Sequence, residues 1–146
     1  MKQAVRAIIV RGNDILVMHR NKFGTEYDTL PGGGLEMGES VDDALARELA
    51  EETGIAYANP RLVYIEEAGS IYGTQYIFTC DYVSGEPQLH PSSEETAINK
   101  LGKNIYEPRW LPIAQLGVTP FISERLKREL VRALERGSFP ADPERL

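Results

Sequence analysis

The chain has 146 residues and a formal net charge of −6 at pH 7, with 42% hydrophobic and 26% charged residues. This is an ordinary globular composition, so we expect a folded chain with a hydrophobic core rather than extensive disorder. The acidic balance disfavours long nucleic acids as partners, because binding them requires clustered Lys and Arg side chains that displace condensed counterions.

Cysteine usage and the N-terminal segment indicate a cytoplasmic protein. Cys80 is the only cysteine, so an intramolecular disulfide is impossible. Residues 1–6 lack the long apolar segment of a signal peptide. Apolar runs are also too short to cross a bilayer, which needs roughly 18 consecutive residues. We therefore expect no membrane insertion.

The first elements in chain order are two strands joined by a tight turn. Residues 5–10 and 15–18 are rich in β-branched and aliphatic side chains, and turn-forming residues at 12–14 separate them. This pattern predicts a hairpin. A polar connection at 21–28 is expected to follow, and three consecutive glycines at 32–34 allow the backbone to approach a ligand closely.

A helix is predicted over 41–53. Ser40 is a suitable N-cap, with Asp43 three residues further on, and Gly54 lies where a glycine commonly ends a helix. An apolar stripe at helical spacing supports the prediction. Its members are Val41, Ala44, Leu45, Leu49 and, less regularly, Ala46.

The second half of the chain predicts three more strands, at 62–66, 75–83 and 105–111. The long polar connection 85–104 is typical of a functional or mobile loop. Apolar residues at helical spacing predict a helix within 120–136. We interpret residues 1–137 as one mixed α and β domain and residues 138–146 as a loosely held C-terminal tail.

Three glutamates of the predicted helix point to metal chemistry. Glu48, Glu51 and Glu52 are three and four positions apart, so they project from one side within about one turn. Such like charges destabilise a helix unless a partner compensates them, and a divalent cation is one such partner. The alternative is a solvated helix face that Arg47 neutralises.

The residues flanking these glutamates resemble the Nudix box at every specified position. The matching pattern is Gly33-x5-Glu39-x7-Arg47-Glu48-Leu49-x-Glu51-Glu52-x-Gly54-Ile55. The resemblance implies an α/β protein of the α+β type, with the Nudix fold: a central mixed β-sheet sandwiched between α-helices. It also implies an enzyme that hydrolyses a diphosphate linkage.

The resemblance to the Nudix family further implies the metal ligands. Glu48, Glu51 and Glu52, together with the backbone at Gly33, are expected to bind the catalytic cation. Mg²⁺ is the expected ion and Mn²⁺ a possible substitute. Carboxylate oxygens suit these hard cations, which complete their coordination with water and substrate phosphate oxygens.

Other residues receive supporting roles from the same resemblance. Arg47 is expected to orient a helix glutamate through an ion pair, and Glu39 to brace the loop. Gly33 and Gly34 are expected to let backbone groups approach the metal or the phosphates. Independently of the resemblance, Arg6 on the predicted hairpin is a candidate for a phosphate contact, although an ordinary structural role on the strand is the favoured alternative.

The polar connection 85–104 offers two candidates for the general base. Glu94 and Glu95 lie within it, where a carboxylate could close over a bound substrate. The alternative is that both are ordinary surface glutamates. The box glutamates themselves are a further possible source of the base.

Two weaker features of the sequence bear on substrate specificity. Tyr72 lies at a spacing from the box that resembles the diadenosine polyphosphate hydrolases, in which a tyrosine stacks on adenine, although a packing role is the alternative. Ser70 and Ile71 stand where relatives that hydrolyse ADP-ribose usually carry proline. This absence disfavours ADP-ribose.

The expected reaction is metal-dependent attack of water on a nucleoside diphosphate linked to another group. Candidate substrates are nucleoside triphosphates, modified nucleotides and dinucleoside polyphosphates. One alternative is a regulatory Nudix domain that binds a nucleotide without cleaving it. Isomerases and RNA 5′-end pyrophosphohydrolases also occur in the broader family, and a homodimer is common among its members.

Overall fold

The computed structural model describes residues 2–146. The strands are β1 (Gln3–Arg11), β2 (Asp14–Lys22), β3 (Thr25–Thr29), β4 (Gly32–Gly34), β5 (Ala56–Glu67), β6 (Thr74–Ser84), β7 (Asn104–Pro112) and β8 (Glu144–Arg145). The helices are α1 (Val41–Glu52), α2 (Gly69–Tyr72), α3 (Glu94–Asn99), α4 (Ile113–Leu116) and α5 (Glu124–Arg136). The sheet runs in the order β3-β2-β1-β6-β5-β8 and contains both parallel and antiparallel pairs.

The predicted hairpin is present, but its strands stay paired only beside the turn, where Val10 faces Ile15. Further along, β1 pairs with β4 and, in parallel, with β6, whereas β2 pairs with β7. The two hairpin strands therefore separate from each other. Arg6 on β1 and Arg20 on β2 both line the cleft that this separation leaves.

Helices cover both faces of the sheet, as the predicted fold class requires. The residues of β1 alternate between two cores, as expected for a strand that is buried on both sides. Val5, Ala7 and Ile9 pack with the buried face of α1. Ile8 packs with α4 and α5. None of the helices in the described part of the chain has the length and apolar character needed to cross a bilayer.

Two segments expected to be irregular contain regular structure. Residues 21–28 are not merely a polar connection, because Phe23 and Gly24 form a turn with positive φ values and β3 then pairs with β2. The strand β3 lies at the edge of the sheet and its residues are mostly polar, so it lacks the apolar pattern from which a strand is predicted. Similarly, the connection 85–104 contains α3, which is too short to show a helical period.

The C-terminal tail is docked, contrary to the prediction of a loosely held terminus. Its strand β8 pairs in parallel with β5, at Tyr64 and Ile65. Phe139 packs edge-on against the ring of Tyr64, with 6.4 Å between ring centroids. Arg61 also donates hydrogen bonds to backbone carbonyls of the tail. The composition of the tail does not reveal this contact, because the partner residues are distant in sequence.

Candidate active site

The helix α1 begins and ends where the sequence predicts. Ser40 Oγ accepts a hydrogen bond from the backbone N–H of Asp43 at 3.1 Å, and the next residue, Val41, is the first of the helix. After the last helical residue, Glu52, the backbone of Gly54 adopts a φ of +64°, which glycine reaches without strain. These two ends set the position of the acidic side chains along α1.

Glu48 and Glu52 lie one turn apart and face the glycine strand β4. The backbone N–H of Gly32 donates to Glu52 Oε2 at 2.9 Å. A Cβ atom on Gly33 would lie only 2.5 Å from Glu48 Oε2, so the backbone there packs directly against that carboxylate. Both glutamates are buried, with 6% and 5% exposure respectively. The glycines thus permit a close approach between strand and helix.

Arg47 connects the helix to the loop before it. Its Nε and Nη2 donate to the two carboxylate oxygens of Glu39 at 2.8 and 2.9 Å, and its Nη1 donates to Glu48 Oε1 at 2.8 Å. Nη2 also donates to the carbonyl of Gly34 at 2.9 Å. These hydrogen bonds from Arg47 hold the pKa of Glu39 at about 2. The guanidinium therefore holds Glu48 and the loop in one arrangement.

Glu51 does not join the other two helix glutamates. Its Oε2 lies 3.4 Å from Arg47 Nη1, and its side chain is 40% exposed. Consecutive helical residues are rotated by roughly 100°, so Glu51 and Glu52 cannot both face β4. The expected convergence of three helix carboxylates thus holds only for Glu48 and Glu52.

The third converging carboxylate is Glu95, on α3. One oxygen from each of Glu48, Glu52 and Glu95 can be chosen so that all three lie within 4.8 Å of one another. Glu94, the other candidate in this segment, is exposed and does not line the cleft. The fold therefore distinguishes between two adjacent glutamates that the sequence leaves equivalent.

Backbone contacts hold α3 beside the C-terminal end of α1. The N–H of Gln88 donates to the carbonyl of Thr53 at 2.9 Å, and the N–H of His90 donates to the carbonyl of Glu51 at 2.8 Å. Ser93 then caps α3 by accepting a hydrogen bond from the N–H of Thr96 at 3.2 Å. These contacts bring the first turn of α3 close to the box glutamates.

The electrostatics of this acidic group fit a divalent cation. Burial raises the pKa of Glu52 to about 8, and burial also raises the pKa of Glu48. Glu95 Oε2 is buried and has no hydrogen-bond partner. Carboxylate oxygens this close repel one another when ionised, and hard cations such as Mg²⁺ bind such oxygens. The donor set and its spacing therefore suit a cation of this kind.

Glu52 and Glu95 form part of the wall of a cleft with a volume of about 820 Å³. Arg6 also lines it and donates to Gln75 Oε1 at 3.0 Å and to the carbonyl of Leu30 at 3.2 Å. Tyr72 lies at the rim and is 45% exposed. Gly33 lines the cleft as well, whereas Gly34 does not; the Gly34 carbonyl instead accepts a hydrogen bond from Arg47.

One wall of the cleft combines Arg20 with two tyrosines. The Arg20 guanidinium lies 3.6 Å from the ring centroid of Tyr106 and 5.8 Å from that of Tyr27. It also donates to the side chain of Asn104 and, at 3.3 Å, to the carbonyl of Ile105. Tyr27 and Tyr106 carried no functional signal in the sequence, because strands commonly contain tyrosine.

Comparison with known proteins identifies the family to which the chain is similar. The NUDIX domain model matches residues 1–134. An NAD-capped RNA hydrolase NudC of Haemophilus influenzae (strain PittGG) is 32% identical over 125 residues, which cover 80% of this chain and 42% of that protein. Another NudC, of Pseudomonas aeruginosa (strain LESB58), is 26% identical over 137 residues, covering 93% of this chain and 45% of that protein. The chain thus spans less than half the length of these relatives.

Solved structures show the same fold. An ADP-ribose pyrophosphatase from Streptococcus suis 89-1591 superimposes with a TM-score of 0.69 at 21% identity, covering 99% of this chain and 98% of that one. A MutT NUDIX hydrolase from Burkholderia pseudomallei gives a TM-score of 0.64 at 24% identity, covering 89% and 97%. The resemblance stated from the box is confirmed by the family model. The chain therefore belongs to the NUDIX domain family.

Proposed function

We propose that this chain hydrolyses a diphosphate linkage in a nucleotide-linked substrate with the aid of Mg²⁺ or Mn²⁺. The observation that carries this proposal is the approach of Glu48, Glu52 and Glu95 within 4.8 Å, beside a cleft of about 820 Å³. The cleft is large enough for a nucleotide. Relatives named as an NAD-capped RNA hydrolase and an ADP-ribose pyrophosphatase support the substrate class.

The cation is proposed to lie beside Glu48 and Glu52, on the side where their carboxylates approach Glu95. Glu48 and Glu52 are its proposed principal ligands, and the backbone of Gly33, which packs against Glu48, is a further candidate. Glu51 faces Arg47 and is not expected to bind the same ion. A divalent cation supplies charge neutralisation to the diphosphate oxygens and acidifies water. Arg47 keeps the Glu48 carboxylate in place through the 2.8 Å hydrogen bond.

Glu95 is proposed as the general base that accepts the proton of the attacking water. Its Oε2 has no hydrogen-bond partner and lies beside the helix glutamates, so its lone pairs are free to accept a proton. Glu94 lies outside the cleft and is not expected to take part. Arg6 lines the cleft near Glu52 and is proposed to bind a phosphate oxygen of the substrate.

The nucleoside is proposed to lie against the tyrosines of the cleft. Tyr27 and Tyr106 line one wall of the cleft, where the Arg20 guanidinium lies 5.8 and 3.6 Å from their respective ring centroids, and Tyr72 lines the rim. Aromatic faces bind nucleobases by stacking and do so with little sequence preference. This wall therefore supports binding of a nucleotide without selecting its base.

The deciding experiment measures phosphate and pyrophosphate release across a nucleotide panel with Mg²⁺ or Mn²⁺. The panel includes nucleoside triphosphates, ADP-ribose, dinucleoside polyphosphates, NAD⁺ and NAD-capped RNA. We expect metal-dependent release that Glu52→Gln reduces by about a thousandfold or more, whereas Glu94→Gln leaves it unchanged. Tight nucleotide binding without cleavage under any condition would instead identify a non-hydrolytic binding domain.

The role of Glu95 is tested separately from cation binding. We expect Glu95→Gln to lower kcat by about a hundredfold or more while the Mn²⁺ dissociation constant changes little. Glu52→Gln should weaken Mn²⁺ binding as well. If Glu95→Gln weakens Mn²⁺ binding as strongly, the residue is a metal ligand rather than the base. The homodimer and the cytoplasmic location stay predictions. Analytical ultracentrifugation would test the first, and cell fractionation would test the second.

A further inference from the structure

Two arginines of helix α5 form no ion pair within the described residues 2–146. Other basic residues of the helix do: Lys127 Nζ lies 3.0 Å from Glu124 Oε2, and Arg132 Nη1 lies 2.9 Å from Glu129 Oε1. Arg125 and Arg128 are three positions apart, so they lie on one side of the helix, and both line the cleft. Within residues 2–146, no carboxylate lies within 4.0 Å of either guanidinium.

The acidic residues on the same wall already have partners. Glu66 accepts a hydrogen bond from Ser123 Oγ. Glu67 accepts one from Thr74 Oγ1 at 2.9 Å and lies 3.6 Å from Arg145. The hydroxyl groups of Ser123 and Thr74 are neutral, so these contacts occupy the two carboxylates without pairing either of them with Arg125 or Arg128. Two guanidinium groups that line a ligand-sized cleft and have no carboxylate partner can each bind an anionic group of a ligand.

The scissile diphosphate already has counter-charges elsewhere in the cleft. The proposed cation site lies at Glu48 and Glu52, and Arg6 is near enough to Glu52 to lower its pKa by charge. The arginines of α5 are therefore additional to this group. Guanidinium groups bind phosphate oxygens through paired hydrogen bonds, so phosphate, the anionic group that nucleotides carry, is a suitable partner for them.

We propose that the cleft takes nucleotides that carry a phosphate monoester on a ribose, apart from the scissile diphosphate, and that Arg125 and Arg128 bind this second phosphate. The inference rests on the proposed function for the position of the scissile group. It makes the two arginines specificity-determining residues. Their contribution should appear in substrate binding and should leave the chemical step largely unchanged.

Binding to the metal-free protein tests the inference without any catalysis. The probes are adenosine 2′,5′-bisphosphate and adenosine 3′,5′-bisphosphate, with AMP and ADP as references, measured by isothermal titration. ADP carries its two phosphates in one diphosphate group and so controls for the number of phosphates. We expect at least one bisphosphate to bind about tenfold or more tightly than either reference, because each charged hydrogen bond adds appreciable affinity.

Variants then locate the effect. The double variant Arg125→Ala/Arg128→Ala should lose the preference for the bisphosphate. The control Arg132→Ala should keep it, because Arg132 is on the same helix, does not line the cleft and pairs with Glu129 at 2.9 Å. Equal affinities in the unaltered protein, no detectable bisphosphate binding, or a preference that survives in the double variant would each overturn the inference.

Turnover separates this inference from the proposed hydrolysis. NADP⁺ and NAD⁺ differ only by a 2′-phosphate, and coenzyme A and dephospho-coenzyme A differ only by a 3′-phosphate. We expect kcat/KM to favour the phosphorylated member of at least one pair by about tenfold, through KM. Hydrolysis with no preference in either pair would reject the second phosphate site and keep the hydrolase. Arginine-dependent bisphosphate binding without hydrolysis of any panel compound would do the reverse.

Discussion

Gly33 and Glu48 are in direct contact: a Cβ atom added at Gly33 would lie 2.5 Å from Glu48 Oε2 and 2.6 Å from its carboxyl carbon. The atoms in the way belong to the end of a side chain, so the fold can accommodate a methyl group by moving that carboxylate. At the neighbouring Gly32, the obstacle is the backbone carbonyl of Val5, only 1.9 Å from the added atom. Gly33 therefore makes room for the Glu48 carboxylate, whereas Gly32 makes room for the backbone of β1.

Alanine at Gly33 and alanine at Gly32 should therefore have different effects. Gly33→Ala should reduce kcat/KM by about tenfold or more, because displacing a proposed metal ligand by even 1 Å misaligns the site. Its melting temperature should change by no more than a few degrees. Gly32 has a φ of +145°, and an added Cβ there would clash with backbone atoms, so Gly32→Ala should lower the melting temperature strongly. Calorimetry and activity assays on both variants make the comparison. A strongly destabilised Gly33→Ala would contradict the assignment.

Glu52→Gln should stabilise the metal-free protein while abolishing its activity. Burial raises the pKa of Glu52 from 4.5 to about 8, so the folded state keeps a proton that the unfolded state releases. Stability consequently falls as pH rises from about 4.5 to about 8. Glutamine removes this penalty and can still accept the hydrogen bond from Gly32.

Melting curves in EDTA at several pH values check this second prediction. Near pH 8 the variant should melt higher than the unaltered protein by roughly 3 °C or more, equivalent to roughly 1 kcal/mol. The difference should shrink toward pH 5. The exposed Glu94→Gln serves as the control and should show no such trend. A variant that melts lower at pH 8 would refute the electrostatic cost assigned to Glu52.

The contribution of Glu39 to the stability of the fold depends on pH in the opposite direction. Its hydrogen bonds from Arg47 depress its pKa to about 2, so the stability it contributes is fully present above 4.5 and is lost as pH falls toward 2. We expect Glu39→Gln to lower the melting temperature at pH 7 and to flatten the acid side of the stability profile. Glu36→Gln is the matched control, since Glu36 is exposed and lies 3.7 Å from the same guanidinium. Equal effects of the two variants would show that the bidentate geometry is unimportant.

The docked tail should contribute to global stability. Phe139 packs against Tyr64, and the strand after it extends the sheet. We expect Phe139→Ala to reduce the free energy of unfolding by about 1–2 kcal/mol, less than for a fully buried phenylalanine. Urea denaturation measures it, with Val118→Ala, at an 85% exposed position, as the control. An unchanged free energy for Phe139→Ala would mean that the tail is not part of the cooperative unit.

Short-range patterns predicted the elements that carry the box. The hairpin and the capped helix α1 depend on turn residues, caps and periodicity within about a dozen positions, all visible in the sequence. The three glycines were predicted to allow a close approach of the backbone, but not to form the strand β4. The polar strand β3 and the short helix α3 lack such patterns, and β8 depends on a partner strand some 80 positions away. These elements were accordingly missed or misread.

By itself, the sequence determined that α1 presents glutamates at helical spacing after a glycine-rich segment, because spacing, capping and backbone freedom are local properties. Only the tertiary structure decided that Glu95 joins Glu48 and Glu52 while Glu51 faces Arg47, and that Arg125 and Arg128 line the same cleft as Glu52. Those relationships join strands and helices far apart in the chain. They depend on how the elements pack, and no local pattern of residues encodes that arrangement.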